Sequence, residues 1–125
     1  MKMSKITGSF ALAMSVISAS AYGADYKWGA IALDTADLSP DGGYGIGGGD
    51  SEQEAKDYAL KFCATDGAKG CAIVTTYQKC GSVAVKKAGQ GGAWGIGDTK
   101  DGATARALTQ CGGEDTCKVV VTDCN

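Results

Sequence analysis

The chain has 125 residues, with 12 basic and 14 acidic side chains, six cysteines, 20 glycines and no histidine. The missing histidine excludes Ser-His-Asp and Cys-His catalysis. The mildly acidic balance gives no electrostatic reason to expect nucleic acid or an anionic membrane as partner.

Met1 to about Gly23 reads as a secretory signal peptide. Lys2 and Lys5 supply the positive start, Ile6 to Ile17 is apolar apart from small residues, and Ala19-Ser20-Ala21 or Ala21-Tyr22-Gly23 offers a cleavage site. The apolar run falls short of the roughly 20 residues that a permanent span requires. We therefore expect a cleaved, periplasmic or secreted protein with no stable membrane anchor. Residues 24–125 then form a single domain of net charge −4. No cysteine lies near the cleavage site, so lipid attachment has no support.

The exported part repeats itself. Gly29-Ala30-Ile31-Ala32 is answered by Gly81-Ser82-Val83-Ala84, and Tyr44-Gly45-Ile46-Gly47 by Trp94-Gly95-Ile96-Gly97. Ala55, Ala59, Leu60 and Cys63 match Ala103, Ala107, Leu108 and Cys111 at the same relative spacing. The two copies are expected at about 26–80 and 81–125. Either alone is near the lower size limit for a core, so they should share one.

In chain order, Trp28 to Leu33 reads as a strand, Asp34 to Gly43 as a loop and Tyr44 to Gly47 as the returning strand. Val83 to Val85, a Lys- and Gly-rich loop and Trp94 to Gly97 repeat that hairpin. In this alignment the first loop is two residues longer, a change that keeps strand parity. A helix follows in each copy. Ser51 with Glu54 forms a capping box, and Thr99 stands at the equivalent of Ser51. Ala55, Ala59, Leu60 and Cys63 share one helical face, as do their counterparts. Lys56, Asp57 and Lys61, and Arg106 and Gln110, form the solvated faces. Each helix leads through a Gly-containing turn to a strand bracketed by cysteines, Cys71 to Cys80 and Cys117 to Cys124.

An even cysteine count in a small exported chain reads as a disulfide framework. No Cys-x-x-Cys occurs, and the spacings match no common zinc pattern, so we expect neither metal nor cofactor. Within each bracketed strand the two cysteines lie an odd number of positions apart and point to opposite faces. The simplest pairing among Cys63, Cys71, Cys80, Cys111, Cys117 and Cys124 is 63–71 and 111–117, with Cys80 and Cys124 joined across the two copies. The expected architecture is α+β: two ββαβ repeats with pseudo-two-fold symmetry and mainly antiparallel strands. These form a shared sheet or two packed sheets, with two helices covering one side.

The Trp28-Gly29-Ala30-Ile31-Ala32 start, the Ala-Leu-x-x-Cys helix endings, the Gly-containing turns to the next cysteine and Trp94-Gly95 together resemble a family. It is the bacterial exported proteins grouped as domain of unknown function 4189, and the resemblance covers essentially the whole mature chain. It implies a small, exported, cysteine-bearing bacterial protein of a family with no established enzymatic activity. It adds no support to a bond between Cys80 and Cys124.

Gly43-Tyr44-Gly45-Ile46-Gly47-Gly48 fits G-x-G-x-x-G, but no parallel βαβ unit surrounds it, and turn glycines with positive φ are the plainer reading. Asp34, Asp37, Asp41, Asp50 and Glu54 cluster in sequence without the spacing of a calcium-binding EF-hand loop. Glycan hydrolysis would need two such carboxyls across a cleft. The 34–41 loop carries three acids where the second copy carries Lys86 and Lys87. That difference, beyond what duplication requires, marks partner recognition or surface drift. Tyr44 and Trp94, at equivalent positions in the alignment, serve the sheet-helix boundary or anchor a partner. The expectation is a non-enzymatic module that binds a protein partner, such as an inhibitor or immunity protein, through Asp34, Asp37, Asp41, Tyr44 or Trp94. The alternatives are a cell-wall glycan-binding protein and a small carboxylate-dependent hydrolase.

Overall fold

The computed structural model describes residues 26–65 and 67–125; the expected signal peptide lies outside them. The first unit comprises β1 (Trp28–Asp34), β2 (Tyr44–Gly49), α1 (Glu52–Cys63) and β3 (Cys71–Tyr77). The second comprises β4 (Cys80–Lys86), β5 (Gly92–Gly97), α2 (Lys100–Cys111) and β6 (Cys117–Cys124). Each unit forms an antiparallel three-stranded sheet, ordered β2-β1-β3 and β5-β4-β6, so the strands divide between two sheets.

Strand alternation assigns the layers. On β1, Ala30 and Ala32 pack against Ala55, Ala59 and Cys63 of α1. The opposite face of β1 sends Ile31 and Leu33 against Val83 and Val85 of β4. Ala84 in turn packs with Ala107 of α2 and Cys117. The order of layers is thus helix, sheet, sheet, helix, with the larger side chains between the sheets and alanines beneath the helices. The helices therefore cover the two outer faces, not one common side. Ile31 and Val83 are fully buried, and each contributes about 1.5–3 kcal/mol through burial.

The helices begin where their caps place them. Ser51 Oγ accepts from the Glu54 amide at 3.1 Å, and Thr99 Oγ1 from the Gly102 amide at 3.0 Å. Glu54 reaches back to the amide of Asp50 at 2.9 Å, one residue before the cap. Gly102 has no side chain to do the same. Gly112 and Gly113 end α2 at φ of +133° and +102°, and both amides donate to the Leu108 carbonyl.

Both central strands carry the same irregularity. The pairing of β1 with β3 shifts between Ile31 and Ala32 and leaves Val74 over; that of β4 with β6 shifts between Val83 and Ala84 and leaves Val120 over. These bulged valines both pack into the core between the sheets. A shared defect at matched positions is a strong mark of duplication.

The register corrects the alignment of the repeats. Ile31 faces Ile46, and its counterpart Val83 faces Trp94, so Trp94 corresponds to Ile46, Ile96 to Gly48, and Tyr44 to Gly92. The extra length of the first hairpin loop is consequently four residues, an even number that again preserves parity. The run from Cys71 to Cys80 is not one strand, because β3 ends at Tyr77 and Cys80 opens β4. The second unit accordingly begins at Cys80.

The cysteines pair as Cys63–Cys71, Cys111–Cys117 and Cys80–Cys124. The first two tie each helix end to the strand that follows it. Cys80 and Cys124 face each other on neighbouring strands of the second sheet. Their bond therefore lies inside the second unit and does not join the two copies.

The units are joined instead at a tyrosine. Tyr77 is buried with its ring against Gly29 and Gly81, two equivalent glycines; a Cβ on Gly81 would lie 2.6 Å from the ring. Tyr77 stands opposite Gly29 and Asp123 opposite Gly81, so these two also occupy equivalent positions. They meet at the pseudo-axis, where the Tyr77 hydroxyl donates to Asp123 Oδ2 at 3.1 Å.

Candidate functional site

The acidic loop is held by the hairpin loop of the other unit. Gln90 accepts from the Leu38 amide at 2.7 Å and donates to Asp37 Oδ1 at 2.9 Å, and the Gly91 amide donates to the Leu38 carbonyl at 2.8 Å. Leu38 packs onto the core between the sheets. Part of the divergence between the two loops thus serves their mutual docking.

Asp34, Asp37 and Asp41 do line one recess, of about 200 Å³, with Gly42, Gly43, Gly67 and Ala68. Asp34 is buried, and its Oδ1 accepts from the Ala36 amide at 3.0 Å. Asp37 Oδ1 accepts from Ser39 Oγ at 2.6 Å. The Ser39 hydroxyl, and after it Gln90, hold the Asp37 carboxyl below its ordinary range. Asp37 is therefore anionic at neutral pH and unsuited to donate a proton. Asp41 is exposed. Among the described residues, no group of three or more cysteine or acidic side chains is placed to hold a metal ion.

The glycine-rich motif lies in strand β2 beneath α1, in neither a phosphate loop nor a positive-φ turn. A Cβ on Gly45 would come within 2.5 Å of the Cys63 amide nitrogen, and one on Gly47 within 2.6 Å of the Ala55 carbonyl oxygen. Gly95 lies in the same way beneath α2, with a Cβ there 2.5 Å from the Ala107 nitrogen. These glycines let a helix backbone rest directly on a strand.

The aromatic candidates separate. Tyr44 and Ile46 face away from α1 and pack into the core between the sheets. Trp94 and Ile96 lie on the corresponding face of β5, yet remain 37% and 39% exposed. Ile96 also lines a cleft of about 410 Å³, together with Tyr77, the Gln78-Lys79 turn, Asp98 and Arg106.

An exposed aromatic pair on α1 gave no signal that the sequence reading used. Tyr58 and Phe62 on α1 are 43% and 51% exposed, with rings stacked 6.2 Å apart at 22°. Their spacing of four on a helix was visible in the sequence, as was their replacement by Arg106 and Gln110 in α2. Ile96 and Lys79 were also missed, because only the register reveals that Ile96 stands where the first unit has Gly48.

Burial dominates the electrostatics at the pseudo-axis. It raises the Asp123 carboxyl above its ordinary range, although the Tyr77 hydrogen bond acts in the opposite direction. Tyr77 is raised well above ordinary tyrosine by burial, then by the Asp123 charge and the hydrogen bond it donates.

Two packed ββαβ units, three disulfides and a partly apolar edge at β5 define the class: a small disulfide-stapled α+β protein built by duplication. A family model described as Domain of unknown function (DUF4189) matches residues 28–124, and the chain belongs to that family. Comparisons with curated proteins and with solved structures gave no match.

Proposed function

We propose that this is an exported, non-enzymatic binding module that recognises a protein partner through β5. The observation carrying the reading is that Trp94 and Ile96 stand on one face of an edge strand, each more than a third exposed. Tryptophan supplies large, stiff contact area and is enriched at the energetic centres of interfaces. Three disulfides require an oxidising compartment for their formation, and among the described residues no helix is long and apolar enough to cross a membrane. With the N-terminal signal, these features support a periplasmic or secreted location. An inhibitor or immunity protein is one form that such a module takes.

The test is affinity capture from the envelope and medium of the source cells with the oxidised protein. A partner captured by wild type and by the Asp34→Asn/Asp37→Asn/Asp41→Asn variant, but lost in Trp94→Ala/Ile96→Ala, is the expected result. Loss in the aspartate variant alone would move the binding surface to the acidic loop. The shared recess of the three acids favours a second reading, a carboxylate hydrolase acting on cell-wall glycan. Release of reducing ends from purified peptidoglycan by wild type, abolished by Asp34→Asn/Asp41→Asn, would establish it.

A further inference from the structure

We infer that the partner presents an extended segment of alternating apolar and acidic residues, which adds to the free edge of β5. This rests on the reading above and specifies its partner. The second sheet runs β5-β4-β6, so among the described residues one edge of β5 has no neighbouring strand. Gly92-Ala93-Trp94-Gly95-Ile96-Gly97 carries no proline or charge, the usual guards of an exposed edge. The Trp94 carbonyl is met by Gln110 Nε2 at 3.4 Å, a long bond that an incoming amide would readily displace.

The two faces of this edge differ in chemistry. Trp94 and Ile96 occupy one face. The other is covered by α2, where Arg106 lies over Gly95: a Cβ on that glycine would be 2.8 Å from Arg106 Cβ. The cleft at the end of β5 opens to both faces, since Ile96 and Arg106 both line it. Its charged groups are Lys79 and Arg106 against the single acid Asp98. A strand added here would alternate its side chains between the two faces. Its apolar residues would meet Trp94 and Ile96, and its acids would meet Arg106 and, at the end, Lys79.

The first unit is an internal comparison. Ile46, in the place of Trp94, packs into the core, and Gly48, in the place of Ile96, lies beneath the ring of Tyr26. Tyr58 replaces Arg106. The duplicated scaffold therefore does not itself require an open, cationic edge at β5.

The experiment uses the ¹⁵N-labelled oxidised protein, titrated with an end-blocked nine-residue peptide of alternating valine and aspartate. A valine and lysine peptide is the control. The aspartate peptide should shift the amides of residues 93–97, the Trp94 indole and the Arg106 side chain, with a dissociation constant on the order of 0.1–1 mM. Arg106→Glu, an exposed change whose folding the spectrum itself reports, should weaken this peptide by roughly tenfold and favour the lysine peptide. Equal binding of both peptides, shifts confined to β2 or α1, or no shifts at all would overturn the inference. The partner capture separates the two levels. Capture lost in Trp94→Ala/Ile96→Ala but unchanged in Arg106→Glu refutes the acidic segment and leaves the binding surface standing. Capture retained in both refutes the surface too.

Discussion

Gly47→Ala is the sharpest test of a helix resting on glycine. The added methyl would lie 2.6 Å from the Ala55 carbonyl oxygen and 2.7 Å from Tyr58 Cβ, and closer still to the Ala59 nitrogen. The obstructing backbone belongs to α1, whose ends are tied by the Ser51 cap and the Cys63–Cys71 disulfide. Relief therefore requires the whole helix to lift from the sheet and open the contacts of Ala30, Ala32, Ala55 and Ala59. Overpacking of this kind costs about 1–3 kcal/mol, and the rigid obstruction places this case at about 2–3 kcal/mol. For a domain of this size that lowers Tm by about 10–20 °C. Gly48→Ala, the next residue on the same strand, is the control. Its methyl would meet only the ring of Tyr26, a partly exposed side chain ahead of β1 and not helix backbone, so the loss should stay below about 1 kcal/mol. Guanidinium unfolding followed by tryptophan fluorescence measures both variants on the oxidised protein. Equal stability of the two, or a larger loss in Gly48→Ala, would refute the close contact between helix and strand.

The disulfides should rank by the loop each closes. Replacing Cys80 and Cys124 by serine, at a separation of 44, should cost ~4 kcal/mol in chain entropy. Replacing Cys63 and Cys71, at 8, or Cys111 and Cys117, at 6, should cost ~2–2.5 kcal/mol each, as read by denaturant midpoints. Leu38→Ala should release the clasp between the hairpin loops, costing ~1–2 kcal/mol for a partly buried leucine. Amide exchange at Gly91, whose N–H donates to the Leu38 carbonyl, should quicken more than exchange at the amides of α1. Asp123→Asn tests the pseudo-axis by pH. Burial raises the folded-state pKa of Asp123, so the native state holds its proton where the unfolded chain has released it. That contribution is complete below the ordinary, unfolded-chain value of 3.8 and is lost as pH rises through the folded value. Wild type should therefore lose stability relative to Asp123→Asn as pH increases from 3.8 toward neutrality, whereas a constant difference would contradict the burial argument.

Much of the fold was legible because local chemistry determines it. The Ser51 and Thr99 caps, the alanine faces and the β-branched runs locate the helices and strands, and matched cysteines expose the duplication. The pairing 63–71 and 111–117 follows from the short span between a helix end and the next strand. The remaining pair, 80–124, was found by elimination, but its setting was misread because the end of β3 at Tyr77 leaves no mark in composition. The correspondence of the hairpins was misread for a related reason. Tyr44-Gly45-Ile46-Gly47 and Trp94-Gly95-Ile96-Gly97 look alike, yet backbone pairing matches Trp94 with Ile46. A strand of alternating glycine and apolar residues looks the same after a shift of two, and only the partner strand distinguishes the registers.

The candidate site depended still more on tertiary structure. The sequence by itself determined the repeats, the helical faces, the disulfide chemistry and the concentration of acids in one loop. Packing decided what those residues do. It docked Asp37 and Leu38 against the opposite loop, packed Tyr44 partly buried between the sheets, laid helices on the glycines and placed Tyr77 between two equivalent strands. It also left Trp94, Ile96 and Arg106 about one edge. Exposure depends on which surfaces two sheets happen to cover, and that is a property of residues distant in the chain, which no local pattern encodes.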